Sequence, residues 1–165
     1  MDESGAHTKM TRLRGRALGG QRVRARIPQG SYQTSTLISG MRLAGPCAPW
    51  LFEGPLNGEM FLAWVQQGLA GTLRPGDVVI LDNLATHKIR GVREVIEARG
   101  ARLLYLPPYS PDFNPIEPMW SKIKQILRSH APRNDEQLLL AAKSAFQSIT
   151  TADCQGFFFN ARYAT

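Results

Sequence analysis

The chain has 165 residues, of which 43% are hydrophobic and 20% charged. That suits one soluble globular domain with its own core and excludes a disordered segment. No stretch approaches the roughly 20 consecutive apolar residues that cross a bilayer, and the opening Met1-Asp2-Glu3-Ser4 is acidic and polar, unlike a signal peptide. Lys and Arg number 20 against 13 Asp and Glu, a formal charge of +7.

The excess charge sits at the front. Residues 1–30 carry Lys9, Arg12, Arg14, Arg16, Arg22, Arg24 and Arg26 against only Asp2 and Glu3. Such a block fits a polyanionic partner, because each cation that neutralises a phosphate releases condensed counterions. A solvated basic loop has the same composition, so charge alone does not decide. Cys47 and Cys154 are far apart and form no C-x-x-C pair. Buried free thiols in a reducing cytosol are the plain reading.

In chain order, residues 4–31 are rich in Gly and Arg without a sustained period and read as an irregular arm. Gln33 to Leu43 carries β-branched residues and predicts a strand, and Ala48 to Glu53 a second short one. Asn57 is placed to cap a helix from Gly58 to about Leu69 that buries Met60, Phe61, Trp64 and Val65. Asp77-Val-Val-Ile-Leu81 reads as a strand buried on both faces. A helix from about Lys88 to Arg99 follows, stopped by Gly100, and then a strand from Arg102 to Leu106. Strand, helix and strand in this order predict a βαβ unit.

Beyond the loop 109–115, Ile116, Met119, Trp120, Ile123, Ile126 and Leu127 recur at the spacing of a core-facing helix. Pro118 either opens its regular part as a first-turn proline or distorts that turn. A last helix follows Asn134 and buries Leu138, Leu139, Ala142, Phe146 and Ile149, with Gln137 completing a variant capping box. The tail Gly156-Phe-Phe-Phe reads as docked apolar surface.

Asp82 falls where the buried strand leaves the sheet, the place where open α/β sheets bind ligands. Glu117 falls in the first turn of the helix after the next strand, with 34 residues between the two. A βαβ unit brings those two positions together, and a third carboxylate, which Asp2 can supply, would complete an oxygen site for hard divalent cations. Each residue also has an ordinary structural use. Asp at a strand end forms turns, Glu in a first helical turn suits the helix dipole, and Asp2 beside Met1 suits a loose terminus. His87 reads as a locally satisfied donor rather than a ligand, and Asp112 as a loop cap. Glu117, Ser121, Lys124 and Arg128 share one helix flank, which would carry the carboxylate into a basic track for phosphates.

Leu81-Asp82-Asn83, then Thr86-His87, then Leu106-Pro-Pro-Tyr-Ser-Pro-Asp-Phe-Asn-Pro-Ile-Glu117 and Trp120 resemble the mariner-type superfamily of DDE transposases, closest to the branch found in bacterial insertion sequences. Asp2-Glu3-Ser4 resembles the phrase that holds the family's first catalytic Asp. The similarity spans residues 2 to about 130. It implies an RNase H-like α/β fold, a five-stranded mixed sheet flanked by helices, with a catalytic domain over residues 1–130. Residues 131–165 would be a C-terminal helix and tail packed on it.

The resemblance also implies Asp2, Asp82 and Glu117 as catalytic ligands of two Mg²⁺ ions, with Mn²⁺ as a substitute. Asp2 would bridge both ions. The activity implied is cleavage of double-stranded element ends and their transfer to target DNA, typically at TA, by a homodimer acting in the cytoplasm at the nucleoid. Lys124, Arg128, Arg12, Arg14 and Arg16 are the DNA-binding candidates. An RNase H-like nuclease without strand transfer and a non-catalytic DNA-binding remnant are the rival functions.

Two departures accompany the likeness. The family's terminal-repeat-binding helix-turn-helix would precede Asp2, and its first Asp would end a central strand for which this chain supplies only Met1. The expectation is a chain truncated at its N-terminus that folds poorly and is inactive alone. A misplaced start, a split reading frame and a decayed copy would each produce it.

Overall fold

The computed structural model describes all residues except Ala25, Gly30, Ser31, Tyr109, Ala164 and Thr165, and the side chain of Pro111. Three of the omitted residues belong to the predicted arm and Tyr109 to the proline-rich loop phrase.

Among the described residues, five strands form two sheets. In the first, β1 (Asp2–His7), β2 (Thr34–Arg42) and β3 (Gly45–Glu53) run antiparallel in that order. Asp2 stands opposite Ser39 and His7 opposite Thr34. In the second, β4 (Val78–Leu81) and β5 (Arg102–Tyr105) are parallel, with Leu81 opposite Tyr105. The short helix α2 (Val92–Glu97) connects them, which is the predicted βαβ unit. Around the sheets lie α1 (Gly58–Gln67), α3 (Ile116–His130), α4 (Asp135–Gln147) and α5 (Thr151–Asn160).

Local chemistry explains the helix ends. Asn57 accepts from Met60 N at 2.9 Å, and Asn134 from Gln137 N at 2.8 Å. Thr150 and Asp153 form a reciprocal box at the start of α5. Pro118 sits in the first turn of α3, where its missing N–H costs no helical bond. Gly91 adopts φ +99° ahead of α2, so the chain breaks there and the helix starts later than the predicted Lys88.

The two faces of the β2 layer bury different cores. Leu37 packs with Ala6, Ile116, Met119, Ile123, Leu127, Leu138 and Cys154 under α3, α4 and α5. Its neighbour Ile38 points the other way, to Phe61, Trp64, Leu81, Val92, Ile96 and Leu103. Alternation on one strand therefore fixes a helix–sheet–helix arrangement. Most of the predicted α3 stripe is buried. Both cysteines are free thiols, and among the described residues no helix is long and apolar enough to cross a membrane.

Several expectations are corrected. The first strand is present: it starts at Asp2, runs through residues read as arm, and covers the edge of β2. Its Asp-Glu-Ser-Gly-Ala-His sequence has little strand propensity, so pairing with β2 rather than local preference makes it extend. The five strands do not form one hydrogen-bonded sheet. Between the two, the terminal ammonium of Met1 donates to Ile80 O at 2.8 Å. β4 is not buried on both faces, since Val78 is 40% exposed, as is Leu104 of β5 at 52%. The aromatic tail is helical as α5, and Leu139 points outward from α4.

Candidate active site and nucleic-acid interface

At the end of β4 the chain leaves the sheet at Asp82. Its Oδ1 accepts from Leu84 N at 3.1 Å, an Asx-type turn, and from His87 Nδ1 at 2.5 Å. His87 lies on the short turn Ala85–Lys88, fully buried, with its ring 4.4 Å from that of Phe61. Its Nε2 donates to Glu3 Oε2 at 2.9 Å. Both ring nitrogens thus face carboxylates, and both must carry protons to donate. Burial pulls the imidazole down, but the bonds to Asp82 and Glu3 outweigh it and hold the pKa at about 9. Burial likewise pushes Asp82 up, and the bonds from His87 and Leu84 bring it below the usual carboxylate value.

Asp2 is also buried. Its Oδ1 accepts from Glu3 N at 2.8 Å, and its Oδ2 from Asn114 Nδ2 at 3.4 Å, a long bond. Burial raises its pKa to about 7, against the Glu3 amide bond and assisted by the charges of Glu117 and Glu3. Glu117 is the second residue of α3 and its amide closes on Asn114 O at 3.2 Å. Asp82 and Glu117 line one cavity of about 380 Å³ with Asn83, Leu106, Ser110 and Asn114. The βαβ unit therefore brings these two carboxylates together, and Asn114 connects the cavity to Asp2 beneath it.

The convergence stops short of a ligand set. Among the described residues no three His, Cys, Asp or Glu side chains are grouped to hold one metal ion, because Asp2 turns to Asn114 and Asp82 to His87. The donor chemistry nevertheless fits a hard divalent cation. The carboxylates offer oxygens only, and the burial that raises Asp2 is a penalty a cation would relieve.

Sequence reasoning placed His87 as a satisfied donor, which it is, but missed Glu3 and Asn114. Glu3 differed from a solvated charge only in its position next to Asp2. Asn114 carried no signal beyond its loop phrase.

Basic residues lie beside the acids. Arg12, Leu13, Arg14, Ser121, Gln125, Arg128 and Ser129 line a groove of about 510 Å³, so the arm runs along α3. Ser121 also lines an adjoining groove with Glu117. Arg128 continues the flank of Glu117 as expected, whereas Lys124 lines neither groove, because the arm packs on the side of α3 that presents Gln125. Arg16 is exposed and lines neither. None of Arg12, Arg14, Arg16, Lys124 or Arg128 pairs with a carboxylate among the described residues.

The family model described as "DDE superfamily endonuclease" matches residues 1–139. The Tcb1 transposase of a transposable element of Caenorhabditis briggsae is 27% identical over 120 residues, covering 73% of this chain and 42% of that protein. Among solved structures, the Mos1 transposase paired-end complex with left transposon end superposes with a TM-score of 0.69 at 16% identity, over 98% of this chain and 50% of that one. The Mos1 transposase catalytic domain with Raltegravir and Mg gives 0.60 at 14% identity, over 79% and 73%. The chain thus spans about half the length of the relatives it matches, and its fold is the RNase H-like fold of the Mos1 catalytic domain. With the family match running over β1 to the first turns of α4, the chain belongs to the DDE superfamily endonucleases.

Proposed function

We propose that this chain is the catalytic domain of a DDE transposase that cuts DNA at the ends of a mobile element and joins them to a target. The observation that carries the reading is the placement of Asp82 and Glu117 in one cavity at the end of the βαβ unit, with buried Asp2 below and a groove of unpaired arginines alongside. Asp2, Asp82 and Glu117 would hold the divalent ions. Such ions activate an attacking water or 3′-hydroxyl and stabilise the leaving oxygen at phosphorus. Mg²⁺ and Mn²⁺ are the ions of choice, in keeping with the Mg and Mn in the Mos1 structures.

The chain's own residues do the rest. His87 holds Asp82 Oδ1 and leaves the other carboxylate oxygen without a hydrogen bond among the described residues. Asn114 steadies Asp2, and Arg12, Arg14 and Arg128 bind phosphates of double-stranded DNA along α3, with Lys124 and Arg16 as outer contacts. We assign residues 1–130 to the catalytic unit and 131–165 to helices completing its core. The protein is read as a homodimer acting at TA-containing targets, a step whose flexibility suits strand transfer. Its loop phrase resembles that of the bacterial insertion-sequence branch, and action at the nucleoid is our reading from that resemblance.

The test uses the protein with Mg²⁺ and a supercoiled plasmid carrying the element ends. Joined product that disappears in Asp82→Asn and Glu117→Gln supports the reading. Nicking without joined product replaces it with a simple nuclease, and neither product under any divalent ion removes the enzymatic reading.

A further inference from the structure

The groove that adjoins the acid cavity has a second wall, formed by the C-terminal end of α5. Asn160, Ala161, Arg162 and Phe157 stand there across from Glu117 and Ser121, enclosing about 680 Å³. These residues lie beyond the 1–139 family match.

This wall is held in place. Tyr163 donates its hydroxyl to Phe113 O at 3.0 Å, pinning the end of α5 to the loop that precedes α3. Arg162 N bonds to Phe159 O at 2.9 Å and Tyr163 N to Phe158 O at 3.0 Å, closing the helix in a tight turn. The Tyr163 ring packs edge-on against Phe158 at 5.7 Å. Arg162 takes φ +65°, a left-handed conformation that L side chains adopt at a cost. A glycine would take it freely, yet an arginine stands there, exposed and without a carboxylate partner among the described residues.

We propose that Arg162, aided by Asn160, is a phosphate anchor for the DNA strand that passes Glu117. One strand would then be gripped from two sides, by Arg128, Arg12 and Arg14 along α3 and by Arg162 at the end of α5. The two grooves meet at Ser121, so a continuous backbone path runs between the walls. Asp112 also lines the α5 groove and repels phosphate there. Its position on the loop side confines the path to the Arg162 side. The ligand is a DNA phosphate beside the reacting one, and the inference rests on the DNA-cutting reading above.

The experiment measures binding of the protein to a fluorescein-labelled duplex carrying the element end, by anisotropy across a salt series. Arg162→Ala is expected to weaken binding roughly fivefold to tenfold and to reduce the salt slope by roughly 0.9, the value of one phosphate contact. Arg162→Lys should restore most of the slope. Arg162→Gly relieves the backbone and should still bind weakly, whereas recovery with Gly would assign Arg162 a folding role and overturn the proposal. A methylphosphonate replacing the phosphate next to the cleavage position should erase the difference between wild type and Arg162→Ala; a difference that persists for every neutralised phosphate also overturns it. The combined Arg12→Ala, Arg14→Ala, Arg128→Ala variant separates the two readings. If it weakens binding while Arg162→Ala does not, only the anchor fails. If neither does, the DNA interface fails with it.

Discussion

Strand β4 has an aspartate at each end, and the two live in opposite electrostatic worlds. Asp77, before the strand, receives both guanidinium nitrogens of Arg42 at 3.0 and 2.5 Å and the amide of Arg74 at 2.7 Å. Arg42 also donates to Thr72 O at 2.8 Å. The bond from Arg42 leads in pulling Asp77 down to about 2. Asp82, after the strand, shares a single imidazolium with Glu3, while Asp2 and Glu117 crowd the same end. Negative charge is neutralised at one end and left in excess at the other. The first arrangement stabilises the fold; the second gathers carboxylates whose pKa values are shifted, as is common at functional sites.

The largest effect separating the two ends is on activity. Asp82→Asn or Glu117→Gln should lower DNA cleavage by roughly 10³-fold or more; Glu117→Gln should leave the melting temperature unchanged or higher, whereas Asp82→Asn, which breaks the bond to His87, lowers it. Asp77→Asn should leave the chemistry alone. Loss of fold in the acid-end variants would show that these carboxylates are structural.

Next in size is His87→Ala. It leaves Asp82 and Glu3 facing one another across a buried gap, a loss of about 3–5 kcal/mol by analogy with broken buried ion pairs. Urea unfolding measures it, and a loss below the range of surface substitutions would mean that the bridge is dispensable.

The pH dependence of melting gives opposite signs at the two ends. Asp2 has a folded pKa raised to about 7 above its ordinary 3.8. The native state therefore holds the proton more tightly, and this contribution is present below 3.8 and lost as pH rises through 7. Asp77 has a folded value lowered to about 2, so its contribution is present above 3.8 and lost as pH falls through 2. Asp2→Asn should flatten the neutral limb and Asp77→Asn the acid limb. Both limbs surviving in both variants would detach the shifts from these residues.

The smallest effect is that of the Lys122–Asp153 pair, 2.6 Å apart but partly exposed. Lys122→Ala should cost no more than about 1 kcal/mol in urea unfolding, and a larger loss would make it part of the core.

Legibility in the sequence divides along physical lines. The unit β4–α2–β5 and helix α3 could be read because apolar periodicity is written locally, and Asp82 and Glu117 follow from where those elements end. β1 could not be read, since Asp-Glu-Ser-Gly-Ala-His is held extended by β2, some 30 residues away in sequence. The bridge from Glu3 to His87 joins positions 84 apart, and no local pattern records it. The outward Leu139 shows the same limit, because α4 presents Ala141, Ala142 and Ala145 to the core where small residues let α3 approach. Asp2 came from a resemblance of motif. The structure brings it to the acid end without closing a ligand set around it.

A cation site formed by Asp2, Asp82 and Glu117 at the acid end should bind Mn²⁺ and gain stability from it. Melting the chain in rising Mn²⁺ above the titration of Asp2, beside Asp82→Asn and Glu117→Gln, tests it most directly. The account predicts a melting temperature that climbs with Mn²⁺ in the wild type and stays flat in both variants. No climb in the wild type, or the same climb in all three, would contradict it.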